Sequence, residues 1–414
     1  EVEHSDNNAN GWKGMQKFSI QSPLSRNMLN EYVFHQLLAD EGVLTPSYQF
    51  LPTQLNGEMI GIMAIEGHFT PELLTQQNRH PGPILKFNEN HLWDMRAKKI
   101  EHISEYPTVE AAEVKVFSKR TYQSDTALAL VERGRSLLYA HQQNLAPLDS
   151  LFNVDLLAKY FAICEVIGAA HSYLWHNTRY YYNERVDRLE PIGFDGNPSI
   201  NPNLSDFHLL PTFKKPFIRE KRVVNLVSSV NFQKAFIAYL RKFSSEAYLL
   251  EFFSKHAMEL KKQESILQRE YPHYVFPRAA LFYRASKIQT MYSDWKLSTV
   301  QCRSASFVSV DHSVVPFPGI SVVAYKKKLA NEFVQIDVLN YFNEEFTIVS
   351  VHNANNTKRI ESKKVLAPFN SPNQPDRISL VIPFSPTHVT VRFNSLDQEY
   401  EVKISKYQFP NILN

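Results

Sequence analysis

The chain has 414 residues, 43% of them hydrophobic and 21% charged, with a formal net charge of +3. That is enough for two or three domains with a sizeable core, in an ordinary globular composition. The charge is too small to argue for nucleic acid, no run reaches the roughly 18–20 apolar residues that span a bilayer, and two cysteines, Cys164 and Cys302, make neither a disulfide framework nor a metal-ligand cluster. The chain begins at Glu1 with no visible signal peptide, which bears little on compartment. Glu1–Asn10 is polar and expected to be disordered. Trp12–Gln21 alternates at Phe18 and Ile20 and is expected as a strand. Ser25 or Asn27 is placed to cap a helix running to Asp40, with Leu29, Val33, Leu37 and Leu38 on its apolar face and Gly42 stopping it.

Tyr48–Thr53 and Glu58–Ile65 alternate as strands around Asn56-Gly57, a strong hairpin signal because both positions tolerate positive φ. Thr70-Pro71 opens a short helix, and Gly82–Phe87 is strand-like. Asn90–Tyr122 is charged and weakly periodic. Asp125–Asn144 has helical spacing. Asp149–Ala170 is expected as one apolar central helix capped by Asn153 or Asp149, with Cys164 as a small buried hydrophobe.

The pattern then breaks at His171-Ser172-Tyr-Leu-Trp-His176-Asn177. Thr178–Tyr182 and Leu189–Phe194 make a hairpin that ends in Asp195-Gly196-Asn197-Pro198, leaving a carboxylate at a strand end. Helix, loop with an Asn, hairpin, strand-end Asp: kinase-like folds hold metal ions on ATP phosphates with this arrangement. Asn201 and Asp206 are further candidates. Pro211–Val230 carries Lys214, Lys215, Arg219, Lys221 and Arg222 and is expected as a solvated basic loop. Helices follow over Asn231–Glu270 and Arg278–Tyr292. From Trp295 about eight short alternating runs, Val308–Val310 first and Tyr400–Ile404 last, read as a β-sandwich.

Three blocks resemble the spore coat protein H (CotH) family of atypical kinases: Gly14-Met-Gln-Lys-Phe-Ser-Ile-Gln-Ser-Pro with the following helix, Asn56-Gly57 through Glu66-Gly67-His68-Phe69, and Leu157–Pro198. Together they run from about Gly14 to Tyr271. The resemblance implies an α+β fold: a kinase-like two-lobe domain over 13–293, after a flexible segment 1–12, with an all-β sandwich over 294–414. It implies ATP with Mg²⁺ or Mn²⁺, and phosphoryl transfer to a protein hydroxyl, in a secreted or cell-surface setting. A nucleotide and a protein substrate are the expected partners, with no nucleic acid and no transmembrane segment.

By that resemblance Lys17 pairs with phosphates and with Glu31, with Lys13 and Lys86 as alternatives, and Glu66 lies near the nucleotide. Asn177 and Asp195 are the metal ligands. Kinases place a catalytic Asp five residues before the metal-binding Asn, and here Ser172 stands there. Serine is not a base by itself at neutral pH, so His171 is the first choice, with His176 beside it. Two alternatives stay open: a degenerate pseudokinase acting as a surface or assembly scaffold, and a kinase-like fold running other nucleotide chemistry.

Overall fold

The structure, a computed structural model, describes residues 15, 17–97, 109–118, 122–200, 217–218, 220–293, 301–302, 322–329, 332–341, 345–368, 375–394 and 399–406. Two-residue alternation builds the first sheet. In it β1 (Phe18–Gln21), β2 (Tyr48–Leu55) and β3 (Glu58–Gly67) pair antiparallel in the order β1-β3-β2. Asn56 and Gly57 close the β2–β3 hairpin with φ of 53° and 86°, the left-handed pair that a tight turn demands.

Between β1 and β2 runs α1 (Leu29–Asp40), with Leu29, Val33, Leu37 and Leu38 buried as the spacing predicts. Its start differs from expectation. Pro23–Arg26 forms a separate 3-10 turn capped by Ser22, Asn27 turns left-handed, and Met28 sits at the helix N-cap without a side-chain bond. Proline favours such an early turn because its φ is preset. The turn leaves Arg26 buried.

The chain continues through α2 (Pro71–Gln76), β4 (Ile84–Phe87), α3 (Asn90–Ala97), β5 (Val114–Val116) and α4 (Asp125–Gln142). It then forms α5 (Leu148–Leu151), α6 (Val154–Ile167), β6 (Arg179–Asn183) and β7 (Arg188–Ile192). The second sheet has the order β5-β4-β6-β7. The single central helix expected over Asp149–Ala170 is two: Phe152 is extended, and Asn153 caps α6 by accepting from the Leu156 amide at 3.3 Å. Gly168 ends α6 at φ 74°, where a Cβ would meet the Ser199 carbonyl oxygen at 2.1 Å, so only glycine fits.

One apolar core runs from α1 and β2–β3 through α4 and α6 to the helices Val230–Phe243, Glu246–Lys255, Ala257–Leu267 and Arg278–Met291. Cys164 lies in it, fully buried. The expected basic loop is corrected in its second half: Lys221–Ser228 is a helix, and both Lys221 and Arg222 are buried. Arg222 bonds Glu220 at 2.7 Å and Lys221 reaches the Gln143 side chain at 3.5 Å, which is what lets such charges leave water. Lys214, Lys215, Arg219, Asn201 and Asp206 lie outside the described residues, as do Lys13 and segment 1–12.

β8 (Phe217–Ile218) and β9 (Gln301–Cys302) pair in parallel. A curled seven-stranded sheet follows: β10 (Val322–Lys328), β11 (Val334–Asn340), β12 (Phe346–His352), β13 (Thr357–Leu366), β14 (Asp376–Ile382), β15 (His388–Phe393) and β16 (Glu399–Lys406), in the order β13-β12-β15-β16-β10-β11-β14. Its alternating inward residues enclose a second core around Ile336, Phe346, Val391 and Phe393. These strands follow the runs read from sequence; the one at Val308–Val310 lies outside the described residues. The fold is α+β, with a sandwich-like β region at its C-terminal end. Among the described residues no helix is long and apolar enough to cross a membrane.

Candidate active site

The site begins where β7 runs out. Gly193 passes so close to Leu38 that a Cβ would lie 2.0 Å from a methyl carbon. Phe194 follows, then Asp195 and Asn197 adopt positive φ of 49° and 40°. Asp and Asn are the non-glycine residues that best tolerate this region. The bend turns two backbone amides toward α1, and Glu31 accepts both: from Gly196 N at 3.0 Å and from Asn197 N at 2.7 Å. A carboxylate in a nest of backbone amides is a strong, charge-assisted arrangement. Glu31 is fully buried, so it is a structural pin between α1 and the Asp195 turn.

Asp195 is held from two sides. Arg26 Nε lies 3.0 Å from Oδ1, while the same guanidinium bonds Glu66 and approaches Glu31 Oε1 at 3.9 Å. It also stacks over Phe194 at 4.9 Å. Across the carboxylate, His171 Nδ1 is 3.4 Å from Oδ2 and 3.0 Å from the Asp195 carbonyl oxygen. Asn177 Nδ2 lies 2.9 Å from that same ring nitrogen and donates to the His171 carbonyl at 3.1 Å. Asp195 and Asn177 therefore both lie against one nitrogen of His171. Burial pushes the Asp195 carboxyl up, but the bond from His171 and the charge of Arg26 outweigh it, and the group is held below the usual carboxylate range. His171 moves up, chiefly through its bond to Asp195. A carboxylate and an amide side chain are residue types that supply oxygen ligands to Mg²⁺ or Mn²⁺.

Arg26 corrects the expected ion pair. The structure brings Arg26, not Lys17, to Glu31. Lys17 is exposed at the entrance of β1, beside the His68 backbone, whose amide donates to the Lys17 carbonyl at 3.1 Å. Lys86 bonds Glu89 at 2.7 Å and lies over the Phe117 ring. Glu66 is buried, and burial first of all pushes its carboxyl up to about 7 despite the opposing charge of Arg26.

Ser172 is fully buried. Its hydroxyl donates to the Phe194 carbonyl at 2.7 Å, lies 2.8 Å from the Tyr160 hydroxyl, and receives the Phe194 amide at 3.3 Å. With its one hydrogen committed, it fastens the loop to the strand before Asp195 and faces no solvent. His176 is buried against Trp175 and Trp93, and burial, with the charge of Arg96 next, drives it down to about 4. Of the two histidines, His171 is the more exposed.

Sequence reasoning did not single out Arg26, His35, Glu89 or Arg179. Arg179 is buried among Phe69, Phe117 and Phe194, with Glu89 at 3.9 Å. Burial lowers it to about 10. Its position, directly after the Asn177-Thr178 break, was the available signal.

A sequence model of one family, described as CotH kinase protein, matches residues 1–263 of the chain. No curated protein matches it.

Proposed function

The chain belongs to the CotH kinase family, and on that premise we propose that it binds ATP with a divalent ion at the Asp195 clamp and transfers a phosphoryl group to a protein hydroxyl. The observation that carries this is the approach of anionic Asp195, just past the end of β7, and of Asn177 to one ring nitrogen of His171. Asp195 and Asn177 would hold Mg²⁺ or Mn²⁺. The ion, when bound, neutralises charge on the transferring phosphates.

The chain's own groups supply the rest. Asp195 is kept ionised by Arg26 and His171. Its turn is kept in shape by Glu31, whose loss would release both the turn and Arg26. His171, with its proton favoured by Asp195, contributes positive charge to phosphate oxygens; in its neutral form it is the group able to accept the acceptor's proton. Lys86 and Lys17 add cationic charge at the opposite side: His68 feels both, together with Arg179, after the larger effect of its own burial.

A second reading has its own observation. Ser172 stands where the catalytic Asp is expected, and its hydrogen bonds are already made inside the fold. A protein that binds nucleotide and transfers nothing, serving as a scaffold, is consistent with that.

The test is a thermal shift with ATP, with and without Mg²⁺ or Mn²⁺, on the parent chain and on Asp195→Ala. A ligand that binds only the folded state raises the melting point. The expected result is a metal-dependent rise lost in the variant. Absence of any shift at millimolar ATP sinks the nucleotide reading. Binding without phosphate release or transfer selects the scaffold.

A further inference from the structure

Behind the Asp195 clamp lies a second group of ligand-type atoms. Glu31, His35 and Glu66 each offer one atom within 4.8 Å of the others, and all three are buried. His35 and Glu31 are four residues apart on α1, one turn, and Glu66 reaches them from β3. His35 Nε2 lies 3.3 Å from Glu31 Oε1 and 3.8 Å from Glu66 Oε1, yet it has no hydrogen-bond partner and its side chain is 1% exposed.

The other side of the ring fixes its proton. Thr45 Oγ1 donates its single hydrogen to the Gly193 carbonyl at 3.2 Å. It must therefore accept from His35 Nδ1, with which it is in contact. In the tautomer that carries its one proton on Nδ1, the Nε2 lone pair is aimed at two carboxylates. Lone pairs facing lone pairs in a dry site repel. Metal-binding histidines are oriented in this way, donating one N–H to an outer partner and presenting the other nitrogen to the ion.

Tyr48 gives an independent sign. Its ring stacks on His35 with centroids 5.2 Å apart and an interplanar angle of 7°. It is directly opposite Glu66 in the β2–β3 register. Its hydroxyl is buried, has no partner, and senses the charges of Glu31 and Glu66. Arg26 is shared among Glu31, Glu66 and Asp195, and His171 reaches Asp195 alone.

We propose that Glu31, His35 and Glu66 bind a divalent transition-metal ion, Mn²⁺ or Zn²⁺ in class, at a buried site joined to the Asp195 clamp through Arg26. One imidazole nitrogen with two carboxylates suits these ions better than Mg²⁺ or Ca²⁺, which prefer oxygen alone. The ion ties α1 to β3 and holds Glu31 under the Asp195 turn. The proposal stands whether or not the cleft turns over ATP.

The experiment counts metal without nucleotide. The full chain is stripped with chelator, equilibrated with Mn²⁺ or Zn²⁺ alone, and its bound metal measured after dialysis, for the parent, His35→Gln, Thr45→Val and Asp195→Ala. The expected result is one tightly held ion in the parent and in Asp195→Ala, and its loss in His35→Gln. Thr45→Val, which removes the partner of His35 Nδ1, should bind about 10–100-fold more weakly. X-ray absorption of the loaded parent should show a nitrogen ligand, a readout that does not depend on any variant folding. No bound ion in the parent, or equal binding by parent and His35→Gln, or an all-oxygen shell, overturns the proposal; the cluster is then an internal ion pair of protonated His35 with Glu31. Failure of the ATP reading appears separately, as metal bound without any response to nucleotide.

Discussion

The region up to Tyr292 and the seven-stranded sheet bury polarity in opposite ways. Arg26, Glu31, His35, Glu66, Arg179 and Lys221 are all nearly inaccessible in the first. Among the described residues of the sheet, Asp337 is the single buried charged side chain, and Ser379 and Gln335 bond it. The sheet is a hydrophobic pattern folded on itself, and apolar burial at about 25 cal/mol per Å² accounts for it. The first region has an equally apolar core but runs a chain of charges through it, each needing a partner to offset lost hydration. Charge placed at that cost marks where the molecule has something to hold.

The sharpest way to break the comparison is a matched pair of variants. Phe393→Ala in the sheet core should cost about 3–5 kcal/mol of stability, while ATP-dependent thermal shift of the remaining transition stays as in the parent. Glu31→Ala should cost a similar amount, about 3–5 kcal/mol, because two amides and Arg26 lose their anion, and it should abolish nucleotide binding as well. Urea melts read the first quantity and the thermal shift reads the second. If Glu31→Ala keeps full nucleotide binding, the pin has no functional role.

A smaller effect is expected from Ser172→Ala. Removing one donor from a buried network should cost about 1–3 kcal/mol without altering the pH profile of any phosphoryl transfer. A profile that loses its basic limb would return Ser172 to the chemistry.

The pH dependence of stability should show buried groups of the first region acting in opposite directions. His141 is buried against Asn225 and Phe152, and burial, with the charge of Arg222 next, lowers it to about 3. Its folded pKa is below its unfolded one, so its contribution is present above about pH 6.5 and is lost as pH falls toward 3. Glu66 and Glu110 go the other way: burial raises each to about 7. Their contribution is full below about pH 4.5 and is lost as pH rises through 7. The opposing slopes overlap between about pH 4.5 and 6.5. In His141→Gln stability should therefore increase on acidification across that window relative to the parent; urea midpoints at each pH decide it, and parallel curves would refute the assignment.

The smallest effect belongs to Lys17→Ala, whose exposed side chain should change stability by less than about 0.5 kcal/mol. A tenfold loss of ATP affinity in that variant would identify it as a phosphate contact in spite of its distance from Glu31's partners.

Several elements were legible because their signals are local. The Asn56-Gly57 hairpin, the buried stripe of α1, the β6–β7 hairpin and the strands of the C-terminal sheet follow from turn chemistry and periodicity. Asp195 at a strand end was legible for the same reason, since Asp-Gly-Asn-Pro stops a strand. The misread elements are those where one or two residues interrupt a smooth pattern. Phe152-Asn153 splits the central helix with no glycine or proline to announce it, and Lys221-Arg222 look like surface charge until Glu220 and Gln143 are seen beside them.

What the sequence determined by itself was the order of elements, the α+β class, the membership carried by its three motifs, and the position of a carboxylate at the end of a strand. Each depends on residues near one another in the chain. What only the tertiary structure decided was which cation meets Glu31, which hydroxyl is sealed inside, and which histidine faces solvent. The sequence offered Lys17, Lys13 or Lys86 as the partner, and the 3-10 turn at Pro23–Arg26 brings Arg26 to Glu31 instead. Ser172 and His171 are neighbours in sequence, yet one points into the fold toward Tyr160 and Phe194 and the other, half-exposed, to Asp195. An ion pair or a hydrogen bond depends on a few ångströms and an angle, and those are set by the packing of distant segments.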